Sequence, residues 1–76
     1  MELVYDGNIK GAFHGWKRGM VYELANGQRF RVRHNPYKLR YAYRPRARIW
    51  QDGPVYFLEV EGMGQPIEVR AVRYRY

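Results

Sequence analysis

Residues 19–33, GMVYELANGQRFRVR, alternate apolar and polar side chains on either side of an Asn-Gly pair. No other feature of the chain limits its fold as strongly. Asn26-Gly27 suits the positive φ angles of a type I′ turn, so the stretch is expected to form a β-hairpin. In its second half Phe30 and Val32 share one face, while Arg29, Arg31 and Arg33 share the other. A core-facing stripe and an arginine stripe thus come from one strand.

The same period of two recurs along the chain, and no window places apolar residues at helical spacing. Glycines at 7, 11, 15, 19, 27, 53, 62 and 64 divide it at the intervals of a small barrel or sandwich. Strands are expected near 8–14, 19–25, 28–34, 46–51, 54–61 and 66–73, with HNPYKLRYAYRP as a long, partly extended connection. The expected core is Ile9, Phe13, Tyr22, Leu24, Phe30, Val32, Ile49, Tyr56, Leu58, Val60, Ile67, Val69 and Ala71. The stretch WKRGMVYEL (16–24) matches WQDGPVYFL (50–58) at Trp, Gly, Val, Tyr and Leu, which suggests two successive hairpins solving one packing problem. Together these features predict a single all-β domain over residues 1–76. The expected form is a small SH3-like barrel of five to six antiparallel strands, with an OB-like barrel as the alternative.

A chain of 76 residues buries only a thin core, and without cysteine it has no disulfide to reinforce it. Eight Tyr, three Phe and two Trp supply apolar area instead, and dimer formation is the other remedy. No apolar run is long enough for a membrane-spanning helix, and MELVYDGNIKG lacks the layout of a signal peptide. A cytoplasmic protein without a membrane partner is the expectation.

GAFHGW, ELANGQRF, YAYRPRARI and EVEGMGQPIEV together resemble the pattern of a group of small uncharacterised bacterial β-barrel domains. That pattern runs Gly-x-Phe-x-Gly-Trp, Leu-x-Asn-Gly-Gln-x-Trp, Tyr-x-Tyr-x-Pro with Ile four residues on, then Val-x-Gly and Val-x-Val. The match falls on Phe13, Gly15, Trp16, Leu24, Asn26, Gly27, Gln28, Tyr41, Tyr43, Pro45, Ile49, Gly62 and Val69. Phe30 stands where the pattern has Trp, and this chain is the more basic. The resemblance implies a compact barrel and a bacterial or phage origin, and it carries no activity with it.

Charge points toward partners. Fourteen Lys and Arg oppose seven Asp and Glu, eleven of the fourteen are Arg, and no acid lies between Glu23 and Asp52. In KLRYAYRPRARIW (38–50), Leu39, Tyr41 and Tyr43 share one parity, with Lys38, Arg40 and Arg44 on the other. Past Pro45, Arg46, Arg48 and Trp50 lie opposite Ala47 and Ile49. An edge strand kept soluble by charge explains two or three such residues. A surface for a polyanion explains the whole run. Arg31, Arg40, Arg44, Arg46 and Arg48 are candidates for phosphate contacts, because guanidinium forks fit phosphate oxygens and release condensed counterions. Tyr41, Tyr43 and Trp50 are candidates for stacking on bases, unless the two tyrosines face the core.

The expected partner is therefore nucleic acid, DNA or RNA, bound weakly and with little sequence preference. The alternative is an acidic protein surface, the chain then being a phage or mobile-element interaction module. A third reading is a structural barrel that its charge keeps in solution. Catalysis finds little support. The chain contains no Ser, Thr or Cys, and His14 and His34 have no neighbouring acid in sequence. Glu59 and Glu61 share a strand face, but solvated glutamates opposite arginines explain them better than a Mg²⁺ site does. No enzyme activity, metal or cofactor is expected.

Overall fold

The computed structural model describes residues 1–73 and is all β, with eight strands and no helix among the described residues. They are β1 (Glu2–Asn8), β2 (Ala12–Trp16), β3 (Val21–Glu23), β4 (Arg29–Val32), β5 (Lys38–Tyr43), β6 (Arg46–Asp52), β7 (Val55–Val60) and β8 (Ile67–Val72). Six form one antiparallel sheet in the order β1-β6-β7-β8-β4-β3, and β2 with β5 forms a two-stranded ribbon. The result is barrel-like but not closed.

Eight strands rather than five or six arise from two differences with the expectation. The stretch expected as one strand over 8–14 breaks at Lys10-Gly11, where Gly11 has φ 78°. Its first part belongs to β1, which starts at Glu2 and pairs with β6 across a bulge between Leu3 and Tyr5. The second difference is β5, which pairs with β2 inside the segment expected to be a connection.

The edges of the six-stranded sheet, β1 and β3, meet only through the Ile9↔Leu24 bridge. Lys10 N–H donates to the Glu23 carbonyl (2.9 Å) and Ala25 N–H to that of Asn8 (2.8 Å). The expected hairpin forms, with Tyr22 opposite Phe30. Its turn is not the expected type I′, because Gly27 has φ 89° but Asn26 does not have positive φ; the Gly27 N–H donates to the Leu24 carbonyl at 2.9 Å, and the Asn26 side chain accepts from the Gln28 amide at 2.9 Å.

Alternation decides the core. Ile9, Phe13, Tyr22, Leu24, Phe30, Val32, Ile49, Leu58, Val60 and Val69 are buried as expected, while Tyr56, Ile67 and Ala71 are partly buried against them. Trp16, Ala47 and Met63 complete it. Phe13, Trp16 and Tyr22 meet ring to ring at 5.5–5.6 Å, which makes Trp16 a core residue. Burial pushes the Tyr22 pKa up, opposed by the Lys17 backbone, and its hydroxyl donates to the Gly15 carbonyl.

The repeated Trp-to-Leu stretches are alike in part. Gly19 and Gly53 both have positive φ, and Leu24 and Leu58 are both fully buried. The second stretch is a true hairpin between β6 and β7, whereas the first leads from the ribbon into the sheet.

Candidate nucleic-acid interface

Residues 38–50 fold into two strands with opposite surroundings. β6 lies inside the sheet, between β1 and β7. Ala47 and Ile49 point inward, and Arg46, Arg48 and Trp50 lie on the outer face. Each outer side chain meets an acid from a neighbouring strand. Arg46 donates to both Asp6 carboxylate oxygens, at 3.0 and 2.9 Å. Arg48 lies 3.6 Å from Asp6 and 4.0 Å from Glu59, and its Nε is buried without a hydrogen-bond partner. The Trp50 indole N–H donates to Glu59 at 2.9 Å. The Arg46 hydrogen bonds, with both guanidinium charges, hold the Asp6 carboxyl below its ordinary pKa, and Asp6 in turn raises that of Arg46.

Among the described residues β5 has one neighbour, β2. Leu39, Tyr41 and Tyr43 stand 73, 67 and 70 % exposed, with Tyr37 exposed just before them and the β2–β5 register shifting between Leu39 and Ala42. Tyr41 and Tyr43 are therefore surface residues. The His14 ring from β2 packs against Tyr41 at a centroid distance of 5.4 Å. On the other parity, Ala42 pairs with Phe13 and is half-buried. Arg40, of that same parity, carries its guanidinium to the 62–64 turn. A Cβ built on Gly62 would come within 2.8 Å of three of its atoms. Lys38, Arg40 and Arg44 form no ion pair among the described residues.

The junction between the strands reverses which parity faces inward. Arg44 has φ 51°, its N–H donates to the Gly11 carbonyl at 2.8 Å, and the Ile9 N–H donates to the Pro45 carbonyl at 2.9 Å. The Asn8 side-chain amide donates to the Arg44 carbonyl at 3.0 Å. The ribbon is thus pinned where it leaves the sheet.

The candidate residues consequently fall into three groups. Arg40, Arg44, Tyr41 and Tyr43 share the ribbon strand and its end. Arg46, Arg48 and Trp50 share the outer face of β6, where the two arginines border a cleft of about 240 Å³ that Glu61 and Gly62 also line. Arg40 approaches that cleft from the ribbon side through Gly62. Arg31 lies apart on β4, three strands from β6, and donates to the Gly19 carbonyl at 3.2 Å. A single cationic face gathering all five arginines is not what forms.

Two acids distant in sequence change the expectation: Glu68 meets the His34 ring at 3.0 Å, where no acid was expected, and Asp6, 40 residues before Arg46, engages Arg46 and Arg48. The signal for Asp6 was the alternation of Leu3, Tyr5, Gly7 and Ile9 against Asp6 and Asn8, which Val4 interrupts as a bulge. Arg73 is the last described residue, and the tail VRYRY (72–76), where Arg and Tyr alternate again, lies largely outside the described residues. Among the described residues no group of three or more His, Asp or Glu could hold a metal ion, and no helix is long and apolar enough to cross a membrane. No family model, curated protein or solved structure matches the chain.

Proposed function

We propose that this chain is a non-enzymatic binding module of SH3-like type that holds single-stranded nucleic acid weakly and with little sequence preference on the β2–β5 ribbon. The observation that carries the reading is the exposure of Tyr41 and Tyr43, with Leu39 also exposed, on a strand whose cations Lys38 and Arg40 have no ion pair among the described residues. Burying these rings would ordinarily stabilise a thin core, so their exposure leaves apolar area open to a partner. Side chains two apart on a strand are about 6.7 Å apart. Stacked bases repeat at about 3.4 Å, so a flat base fits between Tyr41 and Tyr43. Lys38 and Arg44 supply charge for phosphates at the ribbon's two ends. Arg46 and Arg48 stand in reserve, because a phosphate must compete with Asp6 for them. Such a partner would be met in the cytoplasm.

Leu39 favours a second reading, an acidic protein partner, since an aliphatic side chain offers no stacking face. Fluorescence anisotropy with labelled single-stranded DNA, duplex DNA and RNA separates the two. Nucleic-acid binding predicts saturable binding at 50 mM salt that weakens with a log–log slope of about −0.7 per phosphate contacted. Absence of binding to every oligonucleotide at that salt would reject the first reading in favour of the second.

A further inference from the structure

The gap left by the unclosed barrel is a second place where the molecule is open. Between Val4 at the start of β1 and Gly27 at the β3–β4 turn lies a cavity of about 450 Å³, within the range that holds small ligands. Its floor is apolar, made by Phe30, Ile49, Tyr56 and Ala71. Phe30 and Tyr56 pack edge to face at 5.8 Å, which presents ring surface to the cavity. Small Ala71 leaves room above that floor.

The rim is polar and cationic. Gln28 uses its carbonyl oxygen to accept from Asn26 at 2.9 Å, which leaves its NH₂ as a donor. Gln51 uses its NH₂ to donate to the Gly53 carbonyl at 3.0 Å, which leaves its oxygen as an acceptor. Both glutamines line the cavity, as do Arg73 and Arg29, the latter paired with Glu23 at 3.5 Å. One donor, one acceptor and two guanidinium groups thus surround an apolar floor. A flat ring with an acceptor and a donor on one edge and an attached anion satisfies all of them at once.

We propose that this cavity binds a single nucleotide, with the base over Ala71 and Tyr56, its edge toward Gln28 and Gln51, and its phosphate toward Arg73, with Arg29 reached only in competition with Glu23. The same chemistry is offered by a free mononucleotide and by the terminal nucleotide of a strand. The site is separate from the ribbon, and its occupancy does not depend on the ribbon reading.

The test is a titration of isotope-labelled full chain with AMP, adenosine and a short oligonucleotide, read by amide chemical shifts. Saturable shifts at the Gln28 and Gln51 side-chain amides and the Ala71 backbone amide are expected with AMP, and at least fivefold weaker binding with adenosine. Shifts at these groups with AMP as strong as with the oligonucleotide identify a free nucleotide as the source. Stronger shifts with the oligonucleotide, joined by β5 amides, identify a strand end. Ala71→Leu should weaken AMP at least tenfold. Gln28→Ala, in an exposed turn, should weaken it severalfold if the first variant fails to fold. AMP that moves no cavity amide, or moves only β5 amides, overturns the proposal. So does a folded Ala71→Leu or Gln28→Ala variant that binds AMP as the parent does. Failure of the ribbon reading alone would show as cavity shifts without β5 shifts.

Discussion

β5 and β6 are neighbours in sequence, are written in the same alphabet, and meet opposite fates. Both alternate basic residues with apolar ones. In β6 the odd positions Ala47 and Ile49 are buried in the core, and the even ones meet carboxylates. In β5 the odd positions Leu39, Tyr41 and Tyr43 stand in solvent, and the even cations Lys38 and Arg40 form no ion pair among the described residues. The difference lies in the number of neighbours. β6, flanked by β1 and β7, receives cover for one face and acids for the other, whereas the exposed side chains of β5 receive neither from β2. Alternation shows that two faces differ, and neighbouring strands decide what each face is for.

The sharpest way to break this contrast is to shorten one side chain in each row. Ile49→Ala should cost about 2–5 kcal/mol, the usual penalty for emptying a packed aliphatic site. Leu39→Ala should stay within about 0.5 kcal/mol, as exposed substitutions do. Equal effects in denaturant unfolding would mean that β5 is packed after all. Gly15→Ala attacks the ribbon itself. Gly15 has φ 103° at the bulge, and a Cβ there would lie 1.9 Å from the Lys38 carbonyl oxygen. A loss of at least about 2–3 kcal/mol is expected from strain and the broken pairing together, with amide exchange in β5 accelerating before that in β6. Uniform acceleration across both strands would contradict a separable ribbon.

Function should divide the two strands in the opposite sense. The double change Tyr41→Ala and Tyr43→Ala should leave the unfolding midpoint nearly unmoved and weaken single-stranded oligonucleotides at least tenfold, at about 1–3 kcal/mol per stacked base. Unchanged affinity would remove β5 from the interface. Arg44→Gln should lower the steepness of the salt dependence by about 0.7, whereas Arg46→Gln should lower it by less, since Asp6 already holds that guanidinium. The reverse order would move the phosphate path to β6.

Acid offers the gentlest probe. Hydrogen bonding to Arg46, with the Arg46 and Arg48 charges, holds the Asp6 carboxyl below its ordinary pKa in the folded chain. Its contribution to stability is therefore complete above the unfolded carboxylate value and fades as pH falls through the folded one. Asp6→Asn should be less stable than the parent near neutrality and converge with it toward pH 2. A constant difference across that span would show that the carboxylate contributes through something other than charge.

Much of the barrel was legible because period-two patterns near good turns report on local partners. The Asn26-Gly27 hairpin and the inward rows of β4, β6, β7 and β8 needed nothing further. What could not be read came from pairings distant in sequence. β1 looks like an irregular leader until β6 supplies its ladder and a bulge absorbs Val4. β5 looks like a connection because its partner strand ends 22 residues earlier, at Trp16 opposite Lys38. The candidate site suffered most. Eight cations without an intervening acid suggest one surface, but the acids that divide them arrive from Asp6 and Glu59, outside the run.

Arg44 carries a further consequence. Its backbone sits at φ 51°, a conformation that glycine adopts at little cost and a branched-out side chain adopts at about 1 kcal/mol or more. Glycine there would make a more robust hinge, so the molecule forgoes some ruggedness to keep a guanidinium beside the tyrosines. A position where comfort and charge compete is a natural first choice for engineering a sturdier but blunter version of this domain.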